Sequence, residues 1–177
     1  MNDVITSAVV AGLGDPLARV RVYSANRPPL AAFSDIHTVR PLLADDIARI
    51  ATETGNHWRK IFNVYAKWLF EWCEAEFCRW QQLRDVCLLQ SASNTSLLFS
   101  APDFSQPALH VVMGKQYAAS LSLEQLQWLD DDFAINRKLG VIVCPYFDYR
   151  QLSNAKIVRL AELSRELSDG LSWSRAC

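Results

Sequence analysis

The sequence predicts an α/β fold in three layers, with a short, mostly parallel central sheet between helices. Short apolar runs at residues 97–99, 108–113 and 140–144 are typical of buried parallel strands. Stretches of helical periodicity lie before, between and after these runs. The resulting order is strand, helices, strand, strand, helix, strand, helix, which is typical of a sheet covered by helices on both faces.

The length predicts a single domain over residues 1–177. A chain of 177 residues suffices for one hydrophobic core and is short for two. We expect the first 17 residues to form a tail or a short edge segment, because Gly12, Gly14 and Pro16 interrupt any regular element there.

Composition excludes several classes of protein. A net charge of −1 gives no overall attraction for nucleic acid or an anionic membrane, so any nucleic-acid contact needs a local basic patch. No apolar run reaches the ~18 residues that span a bilayer, and the start Met1-Asn2-Asp3 is not a basic signal sequence. We therefore expect a cytoplasmic protein without a membrane partner, and the oligomeric state stays open.

Cysteine usage gives no sign of a metal or a cofactor. The five cysteines are odd in number and scattered, without a C-x-x-C pair, which argues against a disulfide framework and a metal site. We expect them to be unpaired, small core residues.

The first strand is predicted over residues 18–23, which alternate polar and apolar side chains. Pro28 and Pro29 stop it, and residues 30–40 continue as a loop. Pro41 is placed as the first residue of a helix that ends at Gly55.

The longest amphipathic helix is predicted to begin at Asn56, as its N-cap, and to run to about Trp80. Residues 81–89 fit either a helix or a strand. The tryptophans of this region indicate a thick helical face against a sheet or, alternatively, a stacking surface for bases. The predicted apolar stripe consists of Trp58, Ile61, Phe62, Tyr65, Leu69 and Trp72.

The second half alternates strands and helices. Apolar strands at 97–99 and 108–113 precede a helical stretch at 116–128 and a solvated turn at Asp130-Asp131-Asp132. The strand at 140–144 ends at Pro145. Ser153 caps a last helix, which ends at Gly170.

Four loops are predicted to gather at one edge of the sheet, because the carboxyl ends of parallel strands share an edge. They are residues 24–29, 101–104, 114–116 and 145–150. The start of the Trp58 helix, with free backbone N–H groups and two cations, suits a phosphate or carboxylate there. Alternatively, His57 and Trp58 seal the core and the cations are surface residues.

No standard catalytic motif is present: there is no Walker A loop, no G-x-G-x-x-G and no G-x-S-x-G. His110, in the middle of a strand, is predicted to be a hydrogen-bonded core residue. His37 and His57 lie in loop or cap positions, where either can titrate usefully.

Four stretches together carry a resemblance to a known family. They are Tyr-Ser-Ala-Asn-Arg-Pro at 23–28, Gly-Asn-His-Trp at 55–58, Gly-Lys-Gln-Tyr-Ala at 114–118 after an apolar strand, and Pro-Tyr-Phe-Asp-Tyr-Arg at 145–150. In order and spacing over residues 18–167, the chain resembles the uracil-DNA glycosylase superfamily, above all its mismatch-specific branch. The first loop lacks the family's glycine and has Arg27 between Asn26 and Pro28. The last loop has no histidine.

The resemblance implies a glycosylase-like fold and a cleft at the carboxyl ends of the strands that takes a base flipped out of DNA, or a nucleotide. Asn26 would then be the catalytic residue that positions water, Tyr23 or Phe33 would stack on the base, and Arg150 would contact the phosphate backbone. The alternative is a non-catalytic α/β domain that binds a small ligand or a protein partner, so enzymatic activity is left open. The expected ligand-binding residues are Tyr23, Asn56, His57, Arg59, Lys60, Gly114, Lys115, Gln116, Tyr146, Asp148, Tyr149 and Arg150.

Overall fold

The computed structural model describes residues 9–73 and 77–169. Within them the chain forms a mixed α/β fold with one eight-stranded sheet and six helices. The strands are β1 (Gly12–Gly14), β2 (Val20–Tyr23), β3 (Val39–Arg40), β4 (Thr95–Leu98), β5 (Leu109–Met113), β6 (Gln127–Trp128), β7 (Ala134–Asn136) and β8 (Val141–Cys144). The helices are α1 (Ala31–Ser34), α2 (Asp46–Thr54), α3 (Asn56–Trp72), α4 (Trp80–Val86), α5 (Lys115–Ser120) and α6 (Asn154–Ser168).

The sheet has the strand order β3-β1-β4-β2-β5-β8-β7-β6, and its four central strands, β4, β2, β5 and β8, are parallel. Antiparallel pairs join β1 to β4 on one side, and β8 to β7 and β7 to β6 on the other. The predicted mostly parallel sheet is therefore confirmed at its centre, and it extends further than the predicted short sheet.

Side chains that alternate along β2 divide the core between the two faces of the sheet. Val20 and Val22 pack with the apolar stripe of α3, whereas Tyr23 belongs to a smaller cluster that includes Ala118 of α5. The first face carries the larger core, which also includes residues of α2, α4 and α6. Helices thus cover both faces of the sheet as predicted. The helical layer on the face of Tyr23 is small, because α5 has only 6 residues.

The prediction for the beginning of the chain is wrong where the structure describes it, because β1 is paired on both sides. It hydrogen-bonds to β3 and to β4, so it is neither a tail nor an edge. Gly12 and Gly14 allow the backbone of β4 to lie very close to that of β1. A Cβ on Gly12 would lie 2.4 Å from the Leu97 carbonyl oxygen, and one on Gly14 would lie 2.3 Å from that of Thr95. Residues 1–8 lie outside the described chain.

Several predicted boundaries in the first half need correction. The predicted loop at 30–40 contains α1 and β3, and α2 begins at Asp46 rather than at Pro41. Asn56 is the first residue of α3 and not its cap, because Gly55, at φ 85°, ends α2 and takes the N-cap position. Helix α3 ends at Trp72, and the ambiguous stretch after residue 80 is the helix α4.

The predicted helix over residues 116–128 is wrong beyond residue 120. Ser122 and Gln125 have positive φ angles of 49° and 56°, which a right-handed helix excludes. The chain instead turns and forms the hairpin of β6 and β7, with the predicted turn at residues 130–132 between them. Helix α6 begins after Ser153 as predicted and ends at Ser168, and the predicted terminator Gly170 lies outside the described residues.

Two of the expectations concern membrane spans and the pairing of cysteines. None of the described helices is long and apolar enough to cross a membrane. Cys73, Cys78 and Cys144 are free. Cys87 is disulfide-bonded, so the expectation of unpaired cysteines is wrong at this position.

Candidate functional site

Three adjacent parallel strands bring three of the predicted loops to one edge of the sheet. Strands β2, β5 and β8 are neighbours, and they end at Tyr23, Met113 and Cys144. The loops that follow are residues 24–29, 114–116 and 145–150. The Gly114 amide donates a hydrogen bond to the Cys144 carbonyl (2.9 Å), which joins the second loop to the end of β8.

Tyr146 lies at the centre of this edge and contacts two other elements through its hydroxyl group. His57 Nε2, at the start of α3, lies 2.9 Å from Tyr146 Oη, and Asn26 Nδ2 donates to the same oxygen over 3.4 Å. We refer to Asn26, His57 and Tyr146 as the Tyr146 cluster. A tyrosine hydroxyl both accepts and donates hydrogen bonds, so Tyr146 Oη can accept one from the Asn26 amide while its O–H donates one to an imidazole nitrogen. The cluster therefore joins an amide to an imidazole through one hydroxyl.

The side chains of the Tyr146 cluster are fixed by local structure. Ser24 is buried, its Oγ accepts from the Asn26 amide (3.2 Å) and donates to the Asn26 carbonyl (3.0 Å), and this closes the loop after β2. The His57 and Tyr146 rings meet edge to face, with centroids 5.6 Å apart. A Cβ on Gly114 would lie 3.7 Å from Tyr146 Cδ2, so the tyrosine ring lies in contact distance of this loop. The cluster is half-buried at Tyr146 and exposed at Asn26 and His57.

A charged group lies beside the Tyr146 cluster in the last loop. Asp148 accepts from the Arg150 amide (2.9 Å) and pairs with Lys60 Nζ (3.0 Å), and these two contacts lower the pKa of its carboxyl group. The Lys60 ammonium also lies 4.6 Å from the centre of the exposed Tyr149 ring, and the Arg150 guanidinium lies 6.0 Å from it. Asp148 therefore offsets the charge of Lys60, while Arg150 is exposed to solvent.

Tyr23 is not available to a ligand, so its assignment to the site is corrected. Its side chain is fully buried, and its hydroxyl lies 2.7 Å from His110 Nδ1 on the α5 side of the sheet. Burial raises the pKa of Tyr23 to about 12. The other proposed stacking residue, Phe33, is buried as well. The prediction for His110 is confirmed, because it is a buried, hydrogen-bonded core residue.

The remaining predicted residues are spread along the edge. Asn56 Oδ1 accepts from Arg59 Nη1 (2.9 Å), and both side chains are exposed. Lys115 points to the β6–β7 hairpin, with its ammonium 4.6 Å from the centre of the Trp128 ring. Gln116 is exposed in the first turn of α5. The Tyr146 cluster thus unites three of the predicted residues, and these four lie outside it.

Sequence reasoning missed two contributors. The sequence predicts Ser24 only as part of a loop, although a serine two residues before an asparagine is a signal for a side-chain turn. The predicted helix over residues 116–128 ends at Trp128, whereas this residue lies exposed on β6. The short apolar runs on both sides of the aspartate triplet were a hairpin signal that could have placed it.

The described residues hold no group of three or more histidine, cysteine or carboxylate side chains arranged to bind a metal ion. The arrangement at the edge is instead one of amide, imidazole, phenol and cationic groups, with the carboxylate of Asp148 paired to Lys60. Such groups hydrogen-bond to a planar polar ligand and contact phosphate.

Comparison with known proteins gives one match. The model of a family of unknown function, DUF6942, matches residues 11–165. No curated protein and no solved structure matches the chain. The matched range includes the whole sheet and every member of the Tyr146 cluster.

Proposed function

The chain belongs to the DUF6942 family, whose function is unknown, and we propose that it binds a nucleic-acid base or nucleotide at the Tyr146 cluster, as a divergent relative of the uracil-DNA glycosylases. The single observation that carries the proposal is the shared hydroxyl of Tyr146, which joins Asn26 and His57 at the carboxyl ends of the strands.

The chemistry of the cluster favours a base over an apolar ligand. The amide of Asn26 has both a donor and an acceptor, and this is the combination that reads the hydrogen-bonding edge of a base. His57 adds an imidazole, and the Tyr146 ring adds a polarizable aromatic surface. All three groups lie where α/β proteins bind ligands, outside the carboxyl ends of parallel strands.

His57 also bears on the departure from the glycosylase pattern. The last loop of that superfamily ends its strand with a histidine, and this loop has none. In this chain the imidazole comes from α3 instead and contacts Tyr146 of the last loop at 2.9 Å. We propose that His57 supplies the role that the resemblance assigns to the missing histidine.

The cations around the cluster favour a polymer over a free base. Arg59, in the same helix as His57, and Arg150 are exposed, and the cations of Lys60 and Arg150 lie 4.6 Å and 6.0 Å from the centre of the Tyr149 ring. Cations interleaved with aromatic rings are typical of surfaces that follow a single strand of nucleic acid. Because the net charge is −1, we expect this binding to be local. Because it uses contacts between cations and phosphates, we expect it to weaken as the salt concentration rises.

The test is binding of a fluorescent single-stranded DNA and of a duplex with one uracil or one mismatch, measured at about 50 and 200 mM salt. We expect Arg150→Ala to weaken binding to all of them and to reduce the salt slope by about 1. The matched control is Arg19→Ala, because Arg19 is exposed at the opposite edge of the sheet, before the amino end of β2.

Tyr146→Phe separates recognition of a base from attraction of phosphate. This variant keeps the ring and removes the hydroxyl that joins Asn26 to His57, so it should reduce the preference for the uracil or mismatch duplex and leave the salt slope unchanged. If the unmodified protein releases a base from the duplex and Asn26→Ala abolishes this release, the protein is an enzyme. Absence of binding at ~50 mM salt, or an equal loss in Arg19→Ala and Arg150→Ala, would refute the proposal.

A further inference from the structure

A second candidate binding site lies beside α5, apart from the Tyr146 cluster. It is a cavity of about 400 Å³ between α5, the turns that follow it and the β6–β7 hairpin. This volume is within the range of small-molecule sites, roughly 300–1,000 Å³. Its lining includes apolar side chains of Ala118, Leu123 and Leu126, together with Lys115, Trp128, Asp130 and Asp131. We refer to it as the Trp128 cavity.

The aromatic wall of this cavity is unusually open. The Trp128 residue is 42% exposed, whereas tryptophan residues are highly buried on average. It lies on the two-residue strand β6, where the pairing of β6 with β7 and of β7 with β8 fixes the backbone. The indole therefore offers a positioned surface for stacking, which suits the flat ring of a base.

Lys115 provides a cation without an ionic partner. No ion pair in the described part of the chain includes Lys115, and its ammonium instead lies 4.6 Å from the centre of the Trp128 ring. Contact with an indole holds an ammonium weakly at an exposed site. The side chain can therefore turn from the ring to an anionic group when a ligand covers the indole.

The carboxylates at the rim limit which anion fits. Asp130 Oδ1 accepts from the amides of Asp132 and Phe133, both at 2.8 Å, and these bonds orient its carboxylate. Asp131 is exposed beside it. Two carboxylates repel a di- or triphosphate, but they accept hydrogen bonds from hydroxyl groups. Recognition of ribose hydroxyls by a carboxylate is a known solution in nucleotide-binding folds.

We propose that the Trp128 cavity binds a ribonucleoside monophosphate. The base stacks on Trp128, the single phosphate pairs with Lys115, and the ribose hydroxyls donate to Asp131 or Asp130. The proposal rests on this cavity alone and does not depend on the function proposed for the Tyr146 cluster.

The experiment is a calorimetric titration with AMP, 2′-deoxy-AMP, adenosine and ribose 5-phosphate at ~50 mM salt. We expect AMP to bind best and each of the other three to bind several-fold more weakly, because each lacks one contact. Trp128→Ala should weaken AMP binding roughly tenfold or more. Lys115→Ala should weaken the binding of AMP but not of adenosine, and Asp131→Asn should reduce the preference for AMP over 2′-deoxy-AMP.

Trp80→Ala is the matched control. Trp80 also has cationic side chains over its ring, Lys67 at 5.2 Å and Arg84 at 5.5 Å, but it begins α4, away from the Trp128 cavity. AMP binding should be unchanged in this variant. The proposal is overturned if AMP does not bind at ~10 mM, if Trp128→Ala binds AMP like the unmodified protein, or if Trp80→Ala loses as much affinity. If Tyr146→Phe changes oligonucleotide binding but leaves AMP binding unchanged, the Tyr146 cluster and the Trp128 cavity are two separate sites.

Discussion

Acidification is expected to destabilise the protein through one buried imidazole, that of His110. Burial is the main cause that lowers the pKa of His110 from 6.5 to about 4. The positive charge of Arg21 lowers it further, and the carboxylate of Asp103 opposes the shift. The Tyr23 hydroxyl, 2.7 Å from His110 Nδ1, has its pKa raised to about 12, so it stays protonated and hydrogen-bonded to the neutral ring.

The sign of the effect follows from where the proton binds. Between pH 6.5 and pH 4 the unfolded chain protonates this histidine and the folded chain does not, so the free energy of unfolding falls as the pH falls. At 1.36 kcal/mol per pKa unit, the loss is about 2 kcal/mol by pH 5 and about 3 kcal/mol by pH 4. Asp103 and Asp148, whose pKa values are lowered from 3.8, lose their contributions below this window.

The assay is urea unfolding, followed by tryptophan fluorescence, at pH 7.5, 6 and 5. The matched control is the double variant Tyr23→Phe/His110→Phe, which replaces both partners of the buried hydrogen bond with apolar rings and so leaves neither partner unsatisfied. We expect the double variant to lose much less stability than the unmodified protein between pH 7.5 and pH 5. Equal losses in the two proteins would refute this reasoning, as would a loss below ~0.5 kcal/mol in the unmodified protein.

Two further pairs of variants, one on close packing and one on side-chain hydrogen bonds, are measured by urea unfolding at pH 7.5. Gly14→Ala should cost about 3 kcal/mol, because its Cβ would lie 2.3 Å from the Thr95 carbonyl oxygen at φ 119°. Gly55→Ala, at φ 85° with nothing within 4 Å, should cost only about 1 kcal/mol, and equal costs would contradict the steric argument. Ser164→Ala should cost about 1–3 kcal/mol, because it leaves the buried N–H of Trp68 (3.0 Å from Ser164 Oγ) without an acceptor. Ser153→Ala should cost under ~0.5 kcal/mol despite its N-cap position, since its side chain makes no capping bond.

The sequence predicted those elements whose apolar pattern agrees with their packing. Strand β2 and the helices α3 and α6 follow from the periodicity of their apolar residues. Strands β5 and β8 follow from continuous apolar runs, and every residue of these two strands is buried. Strand β1 could not be found in this way. Its glycines normally interrupt a strand, yet here they are required by the approach of β4, which is distant in sequence.

The candidate site was predictable in its place but not in its contacts. Parallel strands bring their following loops to one edge, so the nearness of residues 24–29 and 145–150 follows from the pattern alone. The hydrogen bond of His57 with Tyr146 joins residues 89 apart in the chain and depends on the rotation of two side chains. Tyr23 shows the same limit, since alternation along β2 does not reveal that its face is covered by α5.

The position of β2 in the sheet bears on how the protein is made. Both neighbours of this central strand come late in the chain, and 87 residues separate Tyr23 from its partner His110. At about 5–20 residues per second, a ribosome needs several seconds to a quarter of a minute to supply β5 after β2. During that interval Val20 and Val22 have no sheet to join, so nascent chains should be targets for chaperones. A sheet so dependent on distant pairings is also expected to refold slowly, roughly in milliseconds to seconds.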